Sequence, residues 1–491
     1  MTEFRKIATF KSSGEFREYL RGVGAEFDLI DEPRSGADSA FTKPVVYKSK
    51  ITGKSIQLAN RWTLLPMEGW DCEPNGAPSE LARRRWLRSA ESGAGIFFGC
   101  EAVAVMESAK ANARQMTLNS KTVGEIAKLR EDTVARARDL FGAEGVPYIG
   151  LQLTHSGRFV KTPDDKRLDS HTAYEHPYLD KKFHCDASNV VTDDEVDEIV
   201  AHFVEAGKLV LEAGFDFVDV KCAHGYLAHE FLTAFDRPGK YGGSFENRTR
   251  FFRNIVEGIK AAAPGLDIGV RLSLGDLMPF EKDADGVGRP IAWDFDKYGR
   301  YPYAFNCDET GLSVDPEIKD LLEFVGLLDE LGVSLIGSTF GSPYYCPHTQ
   351  RPAAFAVADG YLPPEDPLLG VSRQIKTVRA LKERRPDLFL IGSGYSYLQE
   401  FLPQVGEWVL ETGGADSIGI GRSILSYPNM AADYLSGKAL DRRRICRTFG
   451  DCTNGPRAGL VSGCYPLDDF YKNRREATLL KEIKNLSKES S

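Results

Sequence analysis

The chain has 491 residues, with 62 basic against 71 acidic side chains and a net charge of −9, which argues against a polyanion-binding surface and against nucleic acid as a partner. Hydrophobic content of 42% is enough for a large globular core. No apolar run reaches the ~20 residues of a membrane span, and the start, MTEFRKIATFKSSGEF, lacks the apolar centre of a signal peptide. Nine scattered cysteines do not form a disulfide framework, so a cytoplasmic protein with no membrane partner is expected.

Residues 1–55 are polar and turn-rich and read as an extension wrapped on the main body. From Asn60 a rhythm begins. Short runs rich in Val, Ile, Leu and Phe, with little alternation, predict buried parallel strands at 62–66, 95–105, 147–154, 215–220, 267–272, 333–338, 388–392 and 416–421. Between them lie helical patterns at 122–141, 194–213, 246–263, 316–331, 371–383 and 397–412, the first with Thr122 and Glu125 in capping-box spacing and Gly142 as a stop. This alternation predicts an α/β protein, a (β/α)8 TIM barrel over 56–437, with an open doubly wound sheet as the alternative. Segments 275–314 and 339–370 are too long for simple connections and are expected over the active face. Residues 438–491 form a tail carrying Cys446, Cys452 and Cys464, with a helical REATLLKEIKN and a frayed SKESS.

The strand ends collect the polar residues. They are Pro66-Met67-Glu68, Gly99-Cys100-Glu101, Gln152 to Arg158, then Lys221, His224 and Tyr226, then Arg271, Gly394 and Gly421-Arg422. A buried strand ending in Lys, His and Tyr is costly unless those groups find partners. Gly-rich turns after strands seven and eight, each leading into a helix, offer backbone N–H groups to a phosphate, and Arg422 adds a bidentate charge. Gln152 and Arg271 suit the edge of a heterocycle, the arginine beside a ring that becomes anionic on reduction.

LANRWTLLPMEG (58–69), GLQLTHSGR (150–158), CAHGYLAHEFL (222–232), KYGGSFENRTRFF (240–252) and SIGIGR (417–422) together resemble the old yellow enzyme family of FMN-dependent NAD(P)H:flavin oxidoreductases, over roughly residues 45–435. The resemblance implies a (β/α)8 barrel with FMN at its carboxyl face. Pro66, Met67 and Glu68 would flank the isoalloxazine, with Cys100 near its far edge, Gln152 at the pyrimidine and Arg271 at the N1/O2 side. Gly394, Gly421 and Arg422 would hold the phosphate. Lys221 and His224 would grip a substrate carbonyl, and Tyr226 would be the proton donor, giving NADH- or NADPH-driven reduction of an activated alkene, a carboxylate or thioester among the options. A homo-oligomer is compatible with the resemblance.

Three departures stand out. Glu68 occupies a place where a small polar residue is common, and a carboxylate there disfavours reduced flavin unless it is paired, neutral or turned away. Lys221 replaces the usual first His or Tyr of the pair. Its charge suits a carboxylate or enolate-like substrate, or else pairs with Asp219 or Glu230. In the tail, iron–sulfur members carry C-x2-C-x3-C-x11-C. Here Cys452 and Cys464 keep the last spacing, but Ile445 and Thr448 fall at the first two positions, so a 4Fe-4S cluster is not expected and the tail reads as structural. His155 reads as structural or flavin-adjacent. His348, with Tyr344 and Tyr345, sits on a loop that could overhang the site. The rival readings are a flavin dehydrogenase of an amine or alcohol, a Schiff-base lyase using Lys221, and a flavin-binding protein without turnover.

Overall fold

The computed structural model describes residues 4–164, 166–356 and 360–489; Ser490 and Ser491, the last two residues of the end predicted to fray, lie outside the described residues. The strands in chain order are β1 Val45–Lys48, β2 Ser55–Leu58, β3 Trp62–Leu64, β4 Ile96–Ala104, β5 Tyr148–Thr154, β6 Phe217–Cys222, β7 Asp267–Ser273, β8 Phe280–Lys282, β9 Gly288–Pro290, β10 Leu335–Thr339, β11 Phe389–Gly392 and β12 Ser417–Ile420. Eight of them close into a barrel in the order β10-β11-β12-β3-β4-β5-β6-β7, every neighbour parallel. All eight predicted strands are therefore present, and the open sheet is excluded. Every residue of β6 and β7 is buried, the reason their sequences show no alternation.

The hairpin β1–β2 plugs the barrel floor. Val45, Tyr47 and Leu58 join Ile96, Phe98, Phe217, Leu335, Phe389 and Ile391 in one apolar cluster. Asp267, at the start of β7, accepts hydrogen bonds from Tyr47 (2.8 Å), Ser49 (2.7 Å) and Tyr148 (2.9 Å), which locks the plug in place. The larger apolar layer lies between the strands and the surrounding helices.

Those helices are Glu80–Ser89, Val123–Phe141, Asp193–Glu212, Phe245–Ala262, Lys319–Leu331, Pro367–Arg384 and Leu402–Glu411. The capping box expected at Thr122 and Glu125 does not form. The Thr122 hydroxyl instead donates to the Thr117 carbonyl at 2.6 Å, which removes it from the helix end. Thr192 and Glu195 make a reciprocal box at the start of Asp193–Glu212. The N-terminal extension is less irregular than its composition suggests. It carries the helix Ser13–Val23, which buries Phe16 and Leu20 and stacks Phe16 on Phe401 at 4.4 Å.

The described residues of both long segments (357–359 lie outside them) are at the carboxyl ends of the strands, where the two segments are latched together. The Phe280 N–H donates to the Tyr345 carbonyl at 2.8 Å, and the Tyr345 hydroxyl to buried Asp276 at 2.5 Å. The tail folds as Asp451–Arg457, Asp469–Lys472 and Arg475–Glu489. It is tied to the helix Glu80–Ser89 by ion pairs from Arg84 (3.0 Å) and Arg88 (2.9 Å) to Asp468.

Candidate active site

At the carboxyl face a cavity of about 210 Å³ is lined by Pro66, Met67, Glu68, Gln152, Lys221, His224, Tyr226, Arg271, Gly394, Gly421 and Arg422. Eleven of the twelve residues singled out in the sequence thus share one space. Cys100 does not line it. Cys100 sits on an irregularity in β4, at φ 46°, where the register against β5 shifts between Gly99 and Ala102. Its carbonyl accepts the Met67 N–H at 3.1 Å, so its contribution is to the loop after β3.

That loop is fixed from below by a buried ion cluster that the sequence reading missed. Arg85 bonds Asp71 at 2.8 Å and Glu101 at 3.0 Å, and Glu101 accepts the Gly69 N–H at 3.0 Å. The loop is thereby held so that the Glu68 carboxylate meets Lys221, with Nζ to Oε1 at 2.7 Å. The partners expected for Lys221 are taken by others. Asp219 accepts from the Gln152 amide and from the Arg271 backbone N–H, and Glu230 pairs with Arg158 at 2.7 Å. Burial, offset in part by Glu68, pulls the Lys221 ammonium below its ordinary value.

Lys221 is the penultimate residue of β6, and its ammonium lies 3.8 Å from the centroid of the Tyr226 ring. The Tyr226 hydroxyl is 3.1 Å from that of Tyr344 and 3.4 Å from each Glu68 oxygen. Burial first, and the facing carboxylate second, raise the Tyr226 phenol well above its usual range, so it holds its proton. His224 adopts φ 67° in the turn after β6, where its backbone N–H donates to Ser273 Oγ at 3.2 Å. Its Nε2 lies 3.0 Å from Thr339 Oγ1 and 3.4 Å from the Gln350 amide. Burial, with Lys221 and Arg271 nearby, keeps the imidazole neutral.

Arg271 is buried, and its Nε and Nη1 have no hydrogen-bond partner within the described residues. Burial lowers its pKa only to about 10, so it stays charged at neutral pH. Burial lifts Asp219 beside it to about 7. With one amide N–H given to Asp219, Gln152 keeps a second N–H and its carbonyl oxygen for a ligand. Gly394, at φ 88°, and Gly421 lie in the turns after β11 and β12. A Cβ at Gly394 would sit 2.7 Å from Gln374 Oε1. The helices that follow are a 3-10 turn, Tyr395–Phe401, and the one-turn Ser423–Ser426, so backbone N–H groups and Arg422 have more to offer an anion here than any helix dipole. Unpartnered donors beside a glycine cradle fit FMN.

Other residues settle differently. Tyr344 lines the cavity, while Tyr345 is spent on Asp276. His348 is buried against Phe280 and bonds Tyr361 at 2.8 Å, outside this cavity. His155 supports the turn after β5 through the Gly157 N–H, at 3.1 Å. The tail is more than packing, since Cys452, Thr453, Pro456 and Arg457 line the same cavity. Cys446, Cys452 and Cys464 also face a smaller cavity beside Arg422. Only the convergence of distant segments reveals these tail residues.

The model of the NADH:flavin oxidoreductase / NADH oxidase family matches residues 50–293. An NADPH dehydrogenase of Bacillus subtilis (strain 168) is 30% identical over 244 residues, covering 48% of this chain and 67% of that protein. Among solved structures, a 2-naphthoyl-CoA reductase complex superposes with a TM-score of 0.62 at 18% identity, over 89% of this chain and 58% of that one. Morphinone reductase gives 0.54 at 18%, over 83% and 92%. Both likenesses speak to the barrel alone. With the sequence match, the cavity and the glycine cradle together, the chain belongs to the NADH:flavin oxidoreductase / NADH oxidase family, that of old yellow enzyme, and is an FMN-dependent oxidoreductase.

Proposed function

We propose that this chain reduces carbon–carbon double bonds conjugated to a carbonyl group, with NAD(P)H as reductant. One observation carries the reading: Lys221, His224 and Tyr226, from a single strand end, face the same cavity as the part-unpartnered Arg271 and the glycine turns. Gly394, Gly421 and Arg422 would hold the FMN phosphate, and Gln152 and Arg271 the pyrimidine edge. Pro66, Met67 and Glu68 would flank the ring, with Cys100 supporting them through Met67. When bound, FMN supplies the hydride relay between NAD(P)H and alkene.

The chain's own residues do the rest. Lys221 and a neutral His224 donate to the substrate carbonyl oxygen and stabilise the enolate charge that develops there. Tyr226, kept protonated by burial, gives its proton to the α-carbon. The Tyr344 hydroxyl orients the Tyr226 hydroxyl from 3.1 Å. An ion-paired Lys221 gives no support to the Schiff-base reading. Anaerobic turnover of a panel of enones, enoates and dienoyl thioesters, followed by flavin absorbance, tests the reading. Reoxidation of NAD(P)H-reduced enzyme by at least one class is expected, and failure with every class would overturn it.

We also propose that no 4Fe-4S cluster is held. Three thiols fall short of a four-thiolate cage, and Ile445 and Thr448 stand at the other two family spacings. Iron and acid-labile sulfide analysis should find neither; four irons per chain would contradict this. Among the described residues no helix is long and apolar enough to cross a membrane. All nine cysteines are free thiols, which supports a reducing compartment such as the cytoplasm.

A further inference from the structure

Lys221 is a cation at a spot where a substrate oxygen is expected to bind, and its counter-ion is already in place. Glu68 comes from a different strand end, 153 residues away in sequence, and its side chain is 21% exposed against 4% for Lys221. The carboxylate is therefore the more accessible member of the pair, and a ligand atom bound at Lys221 Nζ also lies close to Glu68. A ligand carboxylate at that position would face Glu68 across a short gap in a partly desolvated cavity, where like charges repel strongly. A neutral carbonyl oxygen meets no such penalty, and it can take a hydrogen bond from Lys221 while the ion pair persists.

The remaining surroundings suit a neutral acceptor. The Tyr226 hydroxyl, which holds its proton, lies 3.1 Å from the Tyr344 hydroxyl, and His224 is neutral. The other cations lining the cavity make contacts of their own. Arg457 donates to the Pro343 carbonyl at 3.0 Å and lies over the Tyr344 ring, and Arg351 donates to Thr453. Arg271 and Arg422 stand where the flavin edge and phosphate are placed.

We infer that Glu68 is a specificity-determining residue, which by occupying Lys221 makes the cavity select neutral carbonyl compounds over carboxylates of the same shape. The inference rests on the cavity being the substrate site proposed above. It also changes the meaning of Lys221, whose charge alone had suggested a carboxylate ligand.

The test is calorimetric titration of the FMN-loaded, oxidised protein with cinnamaldehyde and with cinnamate, a pair differing mainly in charge. The wild type should bind the aldehyde about tenfold or more tightly than the carboxylate, a difference of about 1.4 kcal/mol. Glu68→Gln should shift the ratio about tenfold or more toward cinnamate, and adding Lys221→Met should abolish that shift. Equal or tighter binding of cinnamate by the wild type overturns the inference without any variant. An unchanged ratio in Glu68→Gln, or a shift that survives Lys221→Met, overturns it as well. Binding of both ligands without charge preference leaves the substrate-site reading standing. Binding of neither overturns that reading and this inference with it.

Discussion

Lys221 Nζ lies 2.7 Å from Glu68 Oε1, so two residues that the sequence set apart for different reasons are each other's partner. Each alone would be a liability, a carboxylate beside a flavin that turns anionic or a buried ammonium without a counter-ion. Together they cancel. Removing one member leaves the other's charge poorly compensated, the costly case for a mostly buried pair. Glu68→Ala should lower stability by about 1–3 kcal/mol, and Glu68→Ala with Lys221→Met should cost less than the two single changes added. Urea unfolding of the three variants measures this. Effects additive to within about 0.5 kcal/mol would show the pair to be uncoupled.

The glycine cradle makes a second prediction. Gly394 at φ 88° admits a side chain only with strain, and the added Cβ would meet Gln374 Oε1 at 2.7 Å. Gly394→Ala should weaken FMN binding by about tenfold or more, read by flavin fluorescence on dilution. Gly421→Ala, where the Cβ meets only Met67 Sδ at 3.3 Å, should cost less.

A third prediction concerns pH. Burial raises Asp219 and Asp276 to about 7 each, against an unfolded value of about 4. The folded state therefore holds these protons more tightly than the unfolded chain. The stabilising contribution is full below about pH 4 and is lost as pH rises through about 7. The stability of the wild type minus that of Asp219→Asn/Asp276→Asn should accordingly fall between about pH 4 and 7. Chemical denaturation across that range reads it, and a difference that rises with pH would contradict the burial of these carboxyls as acids.

Much of this protein is written in its local sequence. The eight barrel strands were legible because both faces of each are covered, leaving runs such as FVDV and DIGV without polar alternation. The strand-end cluster from Lys221 to Tyr226 was legible because a buried strand seldom ends in such residues without use for them. What stayed hidden depends on register between distant segments. Lys221 had two acidic candidates near it in sequence, Asp219 and Glu230, and chose neither, because Gln152 and Arg158 reach those first. Thr122 looked like a cap until the Thr117 carbonyl came within 2.6 Å. The tail's Cys452 and Arg457 gave no sign of reaching the cavity, since only the folded path brings them back over it.

Tyr226 is the proposed proton donor of the second half-reaction, and the two half-reactions can be timed apart by stopped flow. In Tyr226→Phe, NAD(P)H should reduce the flavin at a rate within about threefold of the wild type, while reoxidation by an enone should slow by about a hundredfold or more. Equal loss in both half-reactions, or reoxidation at the wild-type rate, would contradict the role assigned to Tyr226.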